Sequence, residues 1–181
     1  MTKNILIAIM SLLVSQFALA NGFYVGAQGV YSAMQEDDID PGIAYGGKAG
    51  YNMNRMNLGL HVLYTPLDED MNEANVEASD LFAVASADFY LVEGLFVSGK
   101  AGMVNRTMEI GAVEVDSLAL AYGGGVGYSI GVNKNFSIDF EANYLVAAES
   151  EADLEVGNTT TTVDLDETDY INGGVTLRFM F

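Results

Sequence analysis

Eight charged or titratable residues stand inside segments that are otherwise apolar and alternating: Lys48, His61, Asp88, Lys100, Arg106, Asp139, Glu141 and Arg178. Four cations, three carboxylates and one imidazole suit ion pairing in a confined space, since buried charges are tolerated only when paired. Two readings of such a cluster stand side by side: a structural polar plug, or a gated ion path in which bridges exchange partners. Catalysis is a poorer fit. His61 is the only histidine and the chain has no cysteine, so no Ser-His pair at a lipid-facing rim, thiol chemistry or His/Cys metal cluster is expected. Gly123-Gly124-Gly125 lies within a strand pattern and opens no helix, so it is not a phosphate loop. No cofactor is expected.

The elements that position these residues are strands. Apolar residues recur with period two in eight stretches, and no stretch sustains a helical period. The stretches are Gly22 to Ala33, Ile43 to Met53, Asn57 to Thr65, Asp80 to Val92, Leu95 to Thr107, Ser117 to Gly131, Phe136 to Ala148 and Tyr170 to Phe181. In the last, Ile171, Gly173, Val175, Leu177, Phe179 and Phe181 share one face and Arg178 stands on the other. The connections after the second, fourth and sixth stretches are short, whereas those after the first, third, fifth and seventh are longer and acidic. Short turns at one rim and long loops at the other predict an all-β fold: an eight-stranded antiparallel up-and-down transmembrane β-barrel. A soluble barrel would turn its apolar faces inward and strand these charges in a dry core. Tyr and Phe form two girdles, with Phe23, Tyr51, Phe89, Tyr128, Phe136, Phe179 and Phe181 toward the turns, and Tyr31, Tyr45, Tyr64 and Tyr144 toward the loops.

Turn geometry then predicts partners. A tight turn at Asn54-Arg55 places Lys48 opposite His61. A turn centred on Gly94 places Asp88 opposite Lys100, and one centred on Asn133 places Gly127 opposite Asp139 and Gly125 opposite Glu141. The inward face of the sixth strand is nearly free of side chains, leaving room for Lys48, Lys100, Arg106 and Arg178 to reach Asp139 and Glu141.

Residues 1–20 read as a signal peptide cleaved after Ala20: Lys3 precedes an apolar core from Ile5 to Val14, and Ala18-Leu19-Ala20 forms the cleavage site. The expected mature domain, residues 21–181, carries 25 acids against six bases, a formal charge of 6 − 25 = −19. Nucleic acid is excluded as a partner by that charge. Setting aside Asp88, Glu93, Asp139 and Glu141, the other 25 − 4 = 21 acids fall in four clusters, Glu36 to Asp40, Asp68 to Asp80, Glu109 to Asp116 and Glu149 to Asp169. They form either a solvated cap or a place for divalent cations that bridge to lipopolysaccharide, although neither Asp37-Asp38-Ile39-Asp40 nor Asp68-Glu69-Asp70 has the spacing of a calcium loop. The alternation around Asp164-Leu165-Asp166 predicts that the last loop rises as a hairpin.

The opening GFYVGAQGVY, the strand GGKAGYNM and the closing GGVTLRFMF resemble the small eight-stranded outer-membrane barrels of the OmpA and OmpX type. The resemblance implies a bacterial outer-membrane location and a lumen network of Arg, Lys, Glu and Asp that closes the pore. It also implies an assembly signal at Leu177, Phe179 and Phe181, read by the barrel-assembly machinery. Unlike full-length OmpA, the chain is expected to carry no peptidoglycan-binding domain. The expected role is non-enzymatic: a monomer in outer-membrane lipid that serves envelope structure and surface interaction. The alternatives are a narrow cation-preferring channel and, more remotely, a lipid-modifying enzyme.

Overall fold

The computed structural model describes residues 22–34, 42–53, 55–69, 76–110, 113–156 and 159–181. The signal-peptide segment, the acidic stretch Glu36 to Asp40 and Asn54 lie outside the described residues. Ten strands follow one another: β1 (Phe23–Met34), β2 (Gly42–Met53), β3 (Met56–Glu69), β4 (Val76–Tyr90), β5 (Leu95–Ile110), β6 (Val113–Gly131), β7 (Phe136–Ala147), β8 (Ser150–Val156), β9 (Thr159–Leu165) and β10 (Thr168–Met180). All pair antiparallel. Neighbours along β1 to β7 pair in sequence, β10 bridges β7 and β1, and these eight strands close into a barrel. Closure removes the edges that an open sheet would expose.

The wall is inverted relative to a soluble barrel. Leu118, Leu120, Tyr122, Val126, Tyr128 and Ile130 of β6 all face outward and are exposed, as are Ile171, Val175, Leu177 and Phe179 of β10. Lys48, His61, Asp88, Lys100, Asp139, Glu141 and Arg178 are buried in the lumen. Apolar surface of this extent around a closed wall is stable in hydrocarbon, and strand pairing satisfies the backbone there.

At the loop rim the structure corrects the sequence expectation. A tilted strand of about 9–11 residues crosses a bilayer, yet β5 has 16 residues and β6 has 19. Their pairing continues from Leu95↔Tyr128 to Ile110↔Val113, so Glu109, Glu114 and Asp116 belong to paired strand rather than to a long loop. Likewise β3 and β4 pair as far as Glu69↔Val76. The last acidic connection does rise as a hairpin: β8 pairs with β9 and leans on β6 through Val115↔Leu154 to Ser117↔Ala152.

Two turns also depart from expectation. Lys48 faces His61, and Met53 faces Met56, as the first turn predicts. The second turn closes with Leu91 N donating to Leu95 O at 2.9 Å and Gly94 at a φ of 81°, so pairing starts at Tyr90↔Phe96. That centres the turn on Glu93 and places Ser86, not Asp88, opposite Lys100. The third turn closes with Val132 N donating to Phe136 O and centres on Lys134, which moves Glu141 opposite Gly127 and Asp139 opposite Ser129.

Candidate functional site in the lumen

Register sets which side chains meet. Strand neighbours lie about 4.8 Å apart, so long side chains can also span two strands or cross a lumen this narrow. Lys48 of β2 passes over β3 and bonds Asp88 of β4 at 2.7 Å. Between them His61 accepts no charge partner. Its Nδ1 lies 3.1 Å from Gln28 Oε1 and its Nε2 lies 2.8 Å from Ser86 Oγ. An amide oxygen beside Nδ1 requires the proton there, while the Ser86 hydroxyl beside Nε2 can donate or accept. Gln28 donates in turn to Thr176.

Across the barrel, Lys100 of β5 lies 3.1 Å from Glu141 of β7, which also accepts from Ser98 at 2.8 Å. Arg178 of β10 lies 3.3 Å from Asp139 and donates to Ser137 and Ser129. The aromatic ring of Tyr24 packs between the cations, 5.9 Å from Lys48 Nζ and 5.3 Å from the Arg178 guanidinium carbon. The glycines of β6 make this crowding possible. A Cβ on Gly123 or Gly125 would run into backbone of β7, and one on Gly127 would strike the Phe96 ring.

Arg106 sits elsewhere. It was expected to reach Asp139 or Glu141, but it pairs with Asp80 directly opposite on β4, at 3.0 Å. Asp80 had been grouped with the loop acids. Its side chain is wholly buried, and alternation with Phe82, Val84, Ser86 and Asp88 on one face of β4 is the signal that places it inward. Tyr170 of β10 completes this group from across the lumen, donating to Asp80 at 2.8 Å and accepting from Arg106 at 2.7 Å. In the alternation of β10, Tyr170 shares the inward face of Arg178.

Among the described residues the four inward cations thus form four ion pairs, in two groups: three pairs on the turn side and Asp80–Arg106 on the loop side. No cluster of three or more metal-ligating side chains occurs among the described residues. Leu177 and Phe179 face outward on β10, and the Phe181 ring lies 5.7 Å from Phe23 and 5.2 Å from Phe179. Phe181 N continues the ladder by donating to Phe23 O at 3.0 Å.

The sequence matches the family described as outer membrane protein beta-barrel domain over residues 5–179. No curated protein matches it. Among solved structures it is similar to Neisserial surface protein A, with 19% identity and a TM-score of 0.56 over 89% of this chain and 98% of that one. It is also similar to Ail, the attachment invasion locus protein of Yersinia pestis, with 16% identity and a TM-score of 0.60 over 89% and 99%. A third is the N-terminal β-barrel domain of Pseudomonas aeruginosa OprF, with 15% identity and a TM-score of 0.54 over 86% and 97%. At these identities the likeness is one of fold.

Proposed function

The chain belongs to the outer membrane protein beta-barrel domain family of the bacterial outer membrane, and from that premise we propose a non-enzymatic, non-conducting barrel that serves envelope structure and presents an acidic surface. The observation that carries the reading is the internal pairing of the lumen: Lys48, Lys100, Arg106 and Arg178 each hold a carboxylate within 3.3 Å. Charges satisfied in this way rigidify the barrel and leave no free inward cation or carboxylate in those pairs to draw an ion through. His61, held between Gln28 and Ser86, is a member of that plug and not a general base.

What remains for contact is the loop rim. From Asn135 to Leu177 the chain has no base and ten acids, eight of them in the segment Glu149 to Asp169 that includes β8 and β9. Ail has been crystallised with the heparin analogue sucrose octasulfate. A formal charge of −18 favours the opposite class here, divalent cations that bridge to lipopolysaccharide or cationic polypeptides. Residues 1–20 serve as the cleaved signal peptide, Leu177, Phe179 and Phe181 as the signal for the barrel-assembly machinery, and the mature protein acts as a monomer in outer-membrane lipid.

Planar-bilayer recording tests the non-conducting half: the wild-type protein gives no current steps, and cation-selective steps would replace this reading with the channel. Vesicles tested on immobilised polylysine check the surface half. Replacing residues 150–165 by a short turn weakens their binding several-fold at low salt, and unchanged binding would contradict the surface role.

A further inference from the structure

The lumen is not polar along its whole length. Its two groups of ion pairs are separated by a layer built from Val30, Leu63, Phe82, Val84, Val104 and Leu145, each buried and in one continuous cluster. Three stretches of register pairing build the layer. Leu63 faces Phe82, Phe82 faces Val104 and Val104 faces Ala119, while on the other side Leu145 faces Tyr170 and Val30 faces Ala44. Every wall strand contributes at least one buried apolar or aromatic residue to the cluster.

We propose that this layer is a dry septum that blocks water and ions whatever the state of the ion pairs on either side. It rests on the non-conducting reading and locates the seal: apolar packing rather than the salt bridges. On the turn side lie Lys48–Asp88, Lys100–Glu141 and Arg178–Asp139; on the loop side lie Asp80, Arg106 and the Tyr170 hydroxyl. No ion pair crosses the layer among the described residues. Two small cavities, each of about 20 Å³, mark its faces. One is lined by His61, Lys100, Glu141 and Asn172 together with Leu63, Val84 and Leu145. The other is lined by Arg106, Ser117 and Thr168 together with Val104, Ala119 and Ala147. A cavity of that size holds about one water. An ion passing between the compartments would shed hydration against a layer that is apolar but for neighbours such as Asn172, the condition for a hydrophobic barrier to conduction.

Bilayer recordings on two variants test the septum, with heat-modifiable gel mobility confirming folding. Neutralising a pair with K48Q and D88N together leaves the barrel silent. Adding Leu63→Ser and Val84→Ser to that protein produces steps. Steps from the K48Q and D88N protein alone overturn the septum while the closed wild type stands, and silence of the four-substitution protein also overturns it. Steps from the wild type overturn the non-conducting reading itself. Thiol labelling supplies a measurement on nearly native protein, because the chain has no cysteine. An impermeant reagent added outside whole cells labels Ser117→Cys at least tenfold faster than Ser98→Cys. Equal rates overturn the septum.

Discussion

Lys48 and Asp88 meet at 2.7 Å over the intervening strand β3, and each side chain is 2% exposed. Strands β2 and β4 are thereby tied through the lumen as well as through β3. Asp88→Asn leaves the Lys48 ammonium buried with no carboxylate, which costs about 3–5 kcal/mol. Replacing both by apolar residues of similar volume is milder. Urea unfolding in detergent micelles measures both, and equal losses would show that the charge left behind is not the cause.

Tyr170→Phe tests the loop-side group. The change keeps the ring that packs edge-on against Phe82 with centroids 5.1 Å apart, and deletes the hydroxyl that bonds Asp80 and Arg106. The expected loss is about 1–3 kcal/mol, with faster hydrogen exchange at the Asp80 and Arg106 amides and little change at Lys48. A uniform change along the barrel would mean that this group is not a local strut.

Two glycines give opposite expectations. A Cβ on Gly123 meets the Tyr144 carbonyl and the Leu145 backbone, whereas one on Gly99 points into open space. Gly123→Ala lowers the folded yield on refolding into micelles, and Gly99→Ala stays within about 0.5 kcal/mol of wild type. Equal yields would remove close strand approach as the reason for the inward glycines of β6.

Deleting Phe181 and replacing Phe179 by Ala separates stability from assembly. The rings lie at the surface, so refolding in vitro changes little, while the assembled fraction in cells falls several-fold. Heat-modifiable mobility of membrane fractions reads it. An unchanged assembled fraction would contradict the signal at Leu177, Phe179 and Phe181.

Strand positions and faces were legible because alternation is local: β2, β6, β7 and β10 end within a few residues of where the sequence pattern ends. Partners were harder to read. Turn centring fixed Lys48 against His61, but a shift of one position at Glu93 put Ser86 rather than Asp88 opposite Lys100, and another at Lys134 put Glu141 opposite Gly127; Lys100 reaches Glu141 past β6. Those shifts come from backbone bonds such as Leu91 N to Leu95 O, which strand alternation does not encode. Asp80 was misplaced because β4 begins at Val76 and carries it below the rim. Tyr170's reach to Asp80 depends on closure bringing β10 across from β4, and the apolar layer depends on all eight strands at once. Both are long-range facts.

The central claim is a wall whose apolar face meets lipid and whose other face is sealed. Single nitroxides along β6 test it directly, since no native cysteine interferes. Labels at Leu118, Leu120 and Val126 are predicted to relax with oxygen dissolved in the bilayer. Labels at Ala119 and Ala121 are predicted to respond to neither oxygen nor a water-soluble nickel complex. Strong nickel accessibility at Ala119 and Ala121 would mean a water-filled lumen and would contradict the account.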